Sequence, residues 1–311
     1  MNTTPRITIY SWLMVAILAF VWGGTFMVTE VALRGITPFW LAASRIGFAT
    51  VIMLVFWGLR GFPLFEAPLN NSQRSALFTI GAASSAVPFS LLAWGQQYVT
   101  SGFAGVSMAS TALIVLPLAH FLVPGERMTP RRSIGFAIGF CGVVVLIGGQ
   151  AFESTGSPLE AFGRLACFGA AFCYSISSIL MRRLPAVDPI GLASILLIIA
   201  TGITVPMALV LEGVPPLPDS QTLVVLAFLG LIPTAAANLL RVLVVRSAGP
   251  VFMSLVNYQV PLWSVLLGAL ILSEPMPPAL IYAMLLILGG VGLSQYGALR
   301  RLFGRRPPPT T

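Results

Sequence analysis

The side chains most able to do chemistry are the few charged groups that interrupt long apolar runs of this sequence. Glu30 lies near the end of the first run, and Arg45 lies within the second. A charge in an apolar surrounding is costly, by roughly 2.5 kcal/mol or more at the centre of a lipid bilayer. Arg45 therefore either binds a carboxylate from outside the chain, or is satisfied by Glu30 or by backbone carbonyls. The sequence leaves both alternatives open.

Polar and aromatic residues near the middle of the apolar runs are candidates for lining a binding site. They are Trp22, Thr25, Ser84, Trp94, Tyr174, Ser178, Asn238, Tyr258, Gln259 and Trp263. Unpaired amides are unfavourable in hydrocarbon, so these side chains are expected to face a bundle interior or a cavity. The alternative is hydrogen bonding and close packing between helices. The pattern favours a cavity for Asn238, Tyr258, Gln259 and Trp263, and packing for any single serine.

Catalytic and metal-binding chemistry has little support in the sequence. The single histidine, His120, has no carboxylate nearby in the chain, and Cys141, Cys167 and Cys173 form no CxxC pair. An intramembrane enzyme would need a nucleophile with a base, or a metal motif such as HExxH. An ATP-driven pump would need a Walker A loop. None of these motifs is present, so we expect no catalytic residue, no metal and no cofactor.

Composition predicts an all-α integral membrane protein. Apolar residues make up 57% of the 311 residues and charged residues only 8%, with a mean hydropathy of +0.94, whereas about a quarter of a typical soluble domain is charged. A crossing takes about 20 apolar residues, which leaves room for about ten transmembrane helices. The apolar runs place them at 10–33, 38–59, 73–98, 101–123, 131–149, 161–181, 189–211, 220–246, 250–272 and 279–298.

The distribution of arginine predicts the orientation. All 17 basic residues are arginine, and with the N-terminus in the cytoplasm thirteen lie in cytoplasmic segments and two in outer segments. This bias predicts a multi-pass protein of the cell (inner) membrane with both termini cytoplasmic. The net charge of +8 is scattered and not gathered on one face, so we expect no nucleic-acid partner. The expected partners are membrane lipids and a small-molecule substrate.

The two halves of the chain repeat a short pattern. Several residues within 38–50 are identical to residues 151 positions later, and several within 126–143 are identical to residues 148 positions later. Between these two sets, Pro88 pairs with Pro233. Five helices per half is an odd number, so the second copy enters the membrane from the opposite side, as in many transporters. We predict two inverted five-helix repeats around a central cavity. Their bounds are 1–149 and 150–299, followed by a cytoplasmic tail at 300–311.

A glycine stripe lies on the fifth predicted helix. Gly135, Gly139 and Gly142 share one face, which predicts close helix packing. That contact lies either within the chain or across a dimer face, so we expect a monomer or a weak homodimer.

Four short motifs carry a resemblance to a known family. The first two predicted helices contain FVWGGTF and TPFWLAASR, and the motifs PGERMTP and SEPMPP precede the fifth and tenth. With ten helices in two halves, the sequence resembles the EamA-type drug/metabolite transporter superfamily over nearly its whole length. The resemblance implies a basket of helices around a central cavity, with helices five and ten set aside. One departure is that Pro117 and Pro261 lie at different distances from the glutamates that follow them, so these prolines are not treated as equivalent.

Together these features predict a secondary transporter that works by alternating access. Many members of the superfamily export amino acids, including aromatic ones, so the resemblance implies that substrate class. Drug-like cations, nucleosides, nucleotide sugars and lipids remain alternatives within the same superfamily. No acidic residue is expected near the midplane, and only Glu30 comes close. Facilitated diffusion is therefore favoured over proton coupling.

Overall fold

The computed structural model describes residues 7–65, 68–122, 128–148, 157–181, 184–185, 187–215, 217–248, 250–253, 255–297 and 300. Within these ranges the chain forms helices joined by short links, with one isolated β-bridge between Phe65 and Val187. Glu126, in the motif before the fifth predicted helix, and the predicted tail beyond Arg300 lie outside the described residues.

We number the α-helices in chain order and name two π-helical segments separately. They are α1 (Ile9–Ala32), α2 (Pro38–Leu59), α3 (Asn71–Gly81), π1 (Ala82–Ala86), α4 (Val87–Gly95), α5 (Ser101–Leu122), α6 (Pro130–Gly148), α7 (Glu160–Met181), α8 (Pro189–Glu212), α9 (Ser220–Leu229), π2 (Gly230–Ala236), α10 (Ala237–Ala248), α11 (Pro250–Met253), α12 (Val256–Leu272) and α13 (Pro278–Ser294).

Among the described residues, seven helical stretches are long and apolar enough to cross a membrane. They are Ile9–Ala32, Pro38–Leu59, Asn71–Gly95, Ser101–Leu122, Glu160–Met181, Pro189–Glu212 and Ser220–Arg241. The helices α12 and α13 are apolar but shorter, and α6 has 19 residues and begins with arginines. The predicted class, an all-α membrane protein, is confirmed. The count of ten crossing helices remains a prediction.

Local sequence signals explain where the helices begin. Asn70 and Thr8 each form a capping box with the third residue of the helix that follows, which satisfies backbone N–H groups that have no partner within the helix. Asp188 and Asp219 accept hydrogen bonds from the first turns of α8 and α9. Proline follows the cap in α2 and α8, where its missing N–H costs nothing.

Two predicted helices differ from the expectation of continuous α-helix. The runs 73–98 and 220–246 contain π1 and π2, and Pro88 and Pro233 lie beside or within these segments. Proline supplies no N–H to the carbonyl four residues earlier, so the hydrogen-bond ladder shifts register there. The predicted helix at 250–272 is divided into α11 and α12, and the backbone tightens to i→i−3 hydrogen bonds at Leu255 and Tyr258.

The helices α2 and α8 pack as an antiparallel pair that is joined at both ends. At one end the Glu212 carboxylate accepts hydrogen bonds from the Thr37 hydroxyl at 2.6 Å and from the Trp40 N–H at 3.0 Å. At the other end Arg60 pairs with Asp188 at 3.0 Å. The two helices therefore cap each other reciprocally, since each contributes its last charged residue to the N-cap residue of the other.

Glycines bring other helices close enough to enclose the site. A Cβ atom at Gly135 of α6 would lie 2.6 Å from the Gly290 carbonyl of α13, so the α6 stripe packs within the chain. A Cβ atom at Gly23 of α1 would lie 2.4 Å from the Trp263 Cβ of α12. The largest buried cluster runs between α1, α5, α12 and α13, and a second cluster lies between α2 and α8 near π2.

Candidate functional site

Arg45 of α2 is a buried cation at the centre of the candidate site. Its side chain is only 8% exposed. The Nε–H donates to the Thr234 hydroxyl at 2.9 Å, and the guanidinium lies 4.1 Å from the centroid of the Phe89 ring. A cation over an aromatic face is stabilised by the ring quadrupole, and more so when water is excluded. Arg45 is thus positioned by α4 and by π2.

The segment π2 approaches Arg45 because a glycine permits it. A Cβ atom at Gly230 would lie 2.9 Å from the Arg45 carbonyl oxygen and 2.4 Å from the Phe48 Cβ. Such contacts would force the helices apart. Within π2, the Thr234 hydroxyl donates to the Leu229 carbonyl at 2.8 Å. Pro233 has no N–H for that carbonyl, and in the π register the Thr234 N–H faces it instead.

Three of the predicted site residues lie around this arginine. Trp22 Nε1–H donates to the Pro233 carbonyl at 3.0 Å, and the Asn238 amide donates to the Thr234 carbonyl at 2.6 Å. Tyr174 of α7 interacts electrostatically with Arg45. These residues come from α1, α7 and α10, so together with Phe89 of α4 four helices contribute side chains around π2 and Arg45.

Arg45 has no counter-ion among the described residues. It forms no ion pair with Glu30, which instead interacts electrostatically with Glu274 and Arg34. In the part of the chain that the structure describes, no hydrogen bond satisfies the two terminal nitrogens of Arg45, and neither nitrogen is fully enclosed. The guanidinium therefore keeps a free pair of N–H donors and an uncompensated positive charge.

Tyr258, Gln259 and Trp263 lie on α12, apart from Arg45. Trp263 makes an edge contact with Phe20 at 5.2 Å, and Gln259 reaches the Leu255 carbonyl of its own helix at 3.5 Å. The Tyr258 hydroxyl is buried and has no hydrogen-bond partner among the described residues. The same is true of Ser84 in π1. Unsatisfied buried hydroxyls are unfavourable, so these two side chains can still take a ligand or a water.

The remaining candidates have local partners. Thr25 and Ser178 donate to carbonyls four residues earlier in their own helices, those of Val21 and Tyr174. Trp94 makes an edge contact with Tyr98 at 5.1 Å near the end of α4. Local contacts of this kind are typical of helix packing.

The sequence analysis did not single out Phe89 and Thr234. Each directly follows one of the two matched prolines, Pro88 and Pro233. This position is the sequence feature that could have indicated them as site residues. The motif SEPMPP places Glu274 just before the tenth predicted helix. The structure instead has the Glu274 carboxylate accepting hydrogen bonds from Ser101 and Gly102 at the start of α5, at 2.8–3.1 Å. Capping across helices cannot be read from sequence neighbours.

No metal site is apparent in the described ranges, where no three His, Cys, Asp or Glu side chains come together. The long apolar helices and a polar, aromatic site between them define a membrane transporter class. Comparison with known proteins gives the family. The sequence profile of the EamA-like transporter family matches residues 9–148 and again residues 161–295. The chain belongs to the EamA-like transporter family, within the drug/metabolite transporter superfamily, and is a membrane transporter.

Relatives from three organisms agree with this assignment. The inner membrane transporter YedA of Escherichia coli K12, itself uncharacterised, is 25% identical over 81% of this chain and 79% of its own length. The uncharacterised transporter YoaV of Bacillus subtilis is 22% identical over 91% and 96%. An uncharacterised transporter of Archaeoglobus fulgidus is 23% identical over 84% and 89%.

A solved crystal structure shares the fold. It superposes with a TM-score of 0.64 at 21% identity and covers 94% of this chain and 99% of its own.

Proposed function

We propose that this transporter exports small carboxylate-bearing metabolites, and that amino acids, including aromatic ones, are its main substrates. The observation that carries the proposal is Arg45, a buried cation with no carboxylate partner among the described residues and with two unoccupied terminal nitrogens. A substrate carboxylate would supply both the missing charge and the missing acceptors. The substrate class implied by the family resemblance, amino acids, carries such a carboxylate.

The surroundings of Arg45 favour an aromatic or apolar body next to that carboxylate. Phe89 lies under the Arg45 guanidinium, Trp22 bonds the Pro233 carbonyl of π2, and Tyr174 interacts electrostatically with Arg45. Apolar walls with a few placed polar groups are typical of small-molecule sites. A drug-like cation is disfavoured, because it would meet an uncompensated positive charge in a medium of low dielectric constant.

We further propose that ten helices cross the membrane as two inverted halves, with both termini in the cytoplasm. Three observations support this arrangement. The family profile matches twice along the chain, α2 and α8 cap each other reciprocally, and arginine is concentrated in the segments assigned to the cytoplasm. An inverted repeat places the site near the midplane, between the halves.

Transport is proposed to run down the substrate gradient. Proton coupling usually requires a titratable group close to the substrate, and Arg45 has no carboxylate within ion-pair distance among the described residues. We therefore expect facilitated diffusion by alternating access. The structure contains one chain, and a monomer or weak homodimer is the proposed assembly.

The test is uptake into liposomes that contain the purified protein, with a panel of radiolabelled amino acids, nucleosides and organic cations. We expect saturable flux of aromatic and large aliphatic amino acids, unchanged by an imposed proton gradient. Flux of cations or nucleosides alone would contradict the substrate class. Uphill accumulation on a proton gradient would contradict facilitated diffusion and leave the substrate class intact.

A further inference from the structure

We propose that Thr234 is a specificity-determining positioning residue that aims the Arg45 guanidinium at the substrate carboxylate. The inference rests on the proposed function, because it assigns an orientation to the cation that the proposed function uses. Three observations carry it: the direction of two hydrogen bonds, the position of the guanidinium over the Phe89 ring and the burial of Thr234.

The direction of the hydrogen bonds at Thr234 is fixed. Arginine nitrogens only donate, so the Thr234 hydroxyl accepts from Arg45 Nε at 2.9 Å. Its single hydrogen is directed to the Leu229 carbonyl at 2.8 Å. The hydroxyl therefore has one defined donor and one defined acceptor on opposite sides.

The backbone holds this hydroxyl in place. In the i→i−5 ladder of π2 the Thr234 N–H faces the Leu229 carbonyl, and the Thr234 hydroxyl donates to the same carbonyl. Rotating the hydroxyl away would give up both this hydrogen bond and the one from Arg45. Thr234 is only 2% exposed and β-branched, so its side chain has few alternative rotamers.

Thr234 and Phe89 together fix the guanidinium in two ways. The Phe89 ring lies beneath the guanidinium at 4.1 Å and restrains its plane. Thr234 occupies Nε and so restrains rotation within that plane. The edge that remains is formed by the two terminal nitrogens, which matches the two oxygens of a carboxylate.

Thr234 and Phe89, which restrain the guanidinium, occupy matched positions of the two repeats. Arg45 has no matching cation in the other repeat. Thr234 and Phe89 each follow a matched proline, at an offset of 145. The residue that matches Arg45 at the offset of 151 is Leu196, which is buried among apolar neighbours. Among the described residues the Arg45 cation therefore lies on one side of the site only, which is where the carboxylate of an amino acid would bind.

The consequence is selectivity for a carboxylate over its neutral amide. An amide offers one acceptor oxygen and two donor hydrogens, and the donors would face the terminal N–H groups of Arg45. If Thr234 loses its hydroxyl, Arg45 can turn and the discrimination weakens.

The experiment compares Thr234→Val and Thr234→Ser in liposomes, with L-phenylalanine and L-phenylalaninamide as the probes. Valine keeps the shape and removes the hydroxyl, and serine keeps the hydroxyl. We expect Thr234→Val to raise the KM for phenylalanine about tenfold or more, the loss expected for a hydrogen bond to a charged group. Thr234→Ser should stay within about threefold of the parent protein, because the bond is retained. The preference for acid over amide should fall only in the valine variant.

Thr204→Val is the matched control. Thr204 is fully buried in α8, and its hydroxyl bonds the Ala200 carbonyl at 2.9 Å without contacting an arginine. This variant should transport like the parent protein. Thr234→Ala replaces Thr234→Val in the comparison with serine if the valine variant does not purify as a folded protein.

Three outcomes overturn the inference. An unchanged KM and acid/amide preference in the hydroxyl-free variant would show that Thr234 only fills space, while the proposed function would stand on phenylalanine flux. An equal loss in Thr234→Ser would show that the hydroxyl is not the cause. If the parent protein transports no substrate with a carboxylate, the proposed function is contradicted and the inference fails with it.

Discussion

The hydroxyls of Thr50 and Thr201 lie 2.8 Å apart where α2 crosses α8. These residues match each other at the repeat offset of 151. A residue can contact its own equivalent only near the two-fold axis that relates the two copies, as at the centre of a symmetric dimer interface. The contact therefore marks the expected position of the pseudo-two-fold axis between the halves.

This pair predicts an energetic coupling. Thr50→Val and Thr201→Val should each destabilise the protein, and the double variant should lose less than the sum by about 0.5 kcal/mol, the usual size of such bonds in membrane proteins. Thermal unfolding in detergent gives the comparison. Thr204→Val provides the control, because its hydroxyl bonds only its own helix and its effect should add to that of Thr50→Val. Full additivity in the threonine pair would contradict the prediction.

The carboxylate of Glu274 should stabilise the start of α5 and the end of α12. It accepts from the Ser101 and Gly102 N–H groups and from the Ser101 hydroxyl. We expect Glu274→Ala to lower stability by about 1–2 kcal/mol, as for the loss of a charged helix cap, with a smaller loss for Glu274→Gln. Met276→Ala in the same loop removes an exposed side chain and serves as the control. Equal melting temperatures for the two alanine variants would contradict this role.

Asp188, the N-cap residue of α8, should make stability depend on pH. Burial raises the pKa of its carboxyl, but hydrogen bonds from the Gly191 and Ile190 N–H groups and the Arg60 guanidinium outweigh it and hold the pKa below its ordinary value. A lowered pKa gives stabilisation that is present above the unfolded-state value of about 4 and is lost as the pH falls through the folded-state value.

The measurement is the melting temperature of the parent protein and of Asp188→Asn between pH 7 and pH 3. We expect a small advantage of the parent at pH 7 that disappears at the acid end. Because Arg60 is exposed, part of this advantage should also disappear at high salt. Arg60→Gln should lose only a part, since the backbone hydrogen bonds remain. A constant difference across the pH range would refute the assignment.

Gly230 should be required for the approach of π2 to α2. Gly230→Ala would place a methyl group 2.4 Å from the Phe48 Cβ, and overpacking of this kind costs about 1–3 kcal/mol. We expect a lower melting temperature and weaker substrate flux, because Thr234 moves with π2. The control is Gly47→Ala on α2, where a Cβ atom meets nothing within 4 Å. A wild-type phenotype for Gly230→Ala would show that the close approach is not needed.

Much of the fold follows from sequence because the bilayer leaves few alternatives. Apolar runs bounded by proline and glycine gave helices close to those observed, such as 38–59 against Pro38–Leu59. The π segments were not predicted, although Pro88 and Pro233 indicated where the ladder would be disturbed. A proline shows which carbonyl loses its donor. It does not show whether the helix kinks or shifts to a π register, as it does at Gly230–Ala236.

The site was predicted only in part because its contacts are long-range. Trp22, Tyr174 and Asn238 were expected to line a cavity, and they lie around π2 and Arg45. The partner of Arg45 is 189 residues away in the chain, so helical spacing could not identify it. The sequence suggested Glu30 because it is a neighbouring charge, and the structure gives Arg45 an uncharged partner instead.

The most direct test of the account is phenylalanine uptake by Arg45→Gln in liposomes, compared with Arg241→Gln. Arg241 is an exposed arginine in α10, so its variant controls for the loss of one positive charge from a membrane helix. The account predicts that Arg45→Gln lowers Vmax/KM for phenylalanine about a hundredfold, the size expected for removing one partner of a desolvated charge pair, and that Arg241→Gln transports like the parent. Normal phenylalanine uptake by a folded Arg45→Gln protein would contradict the carboxylate site.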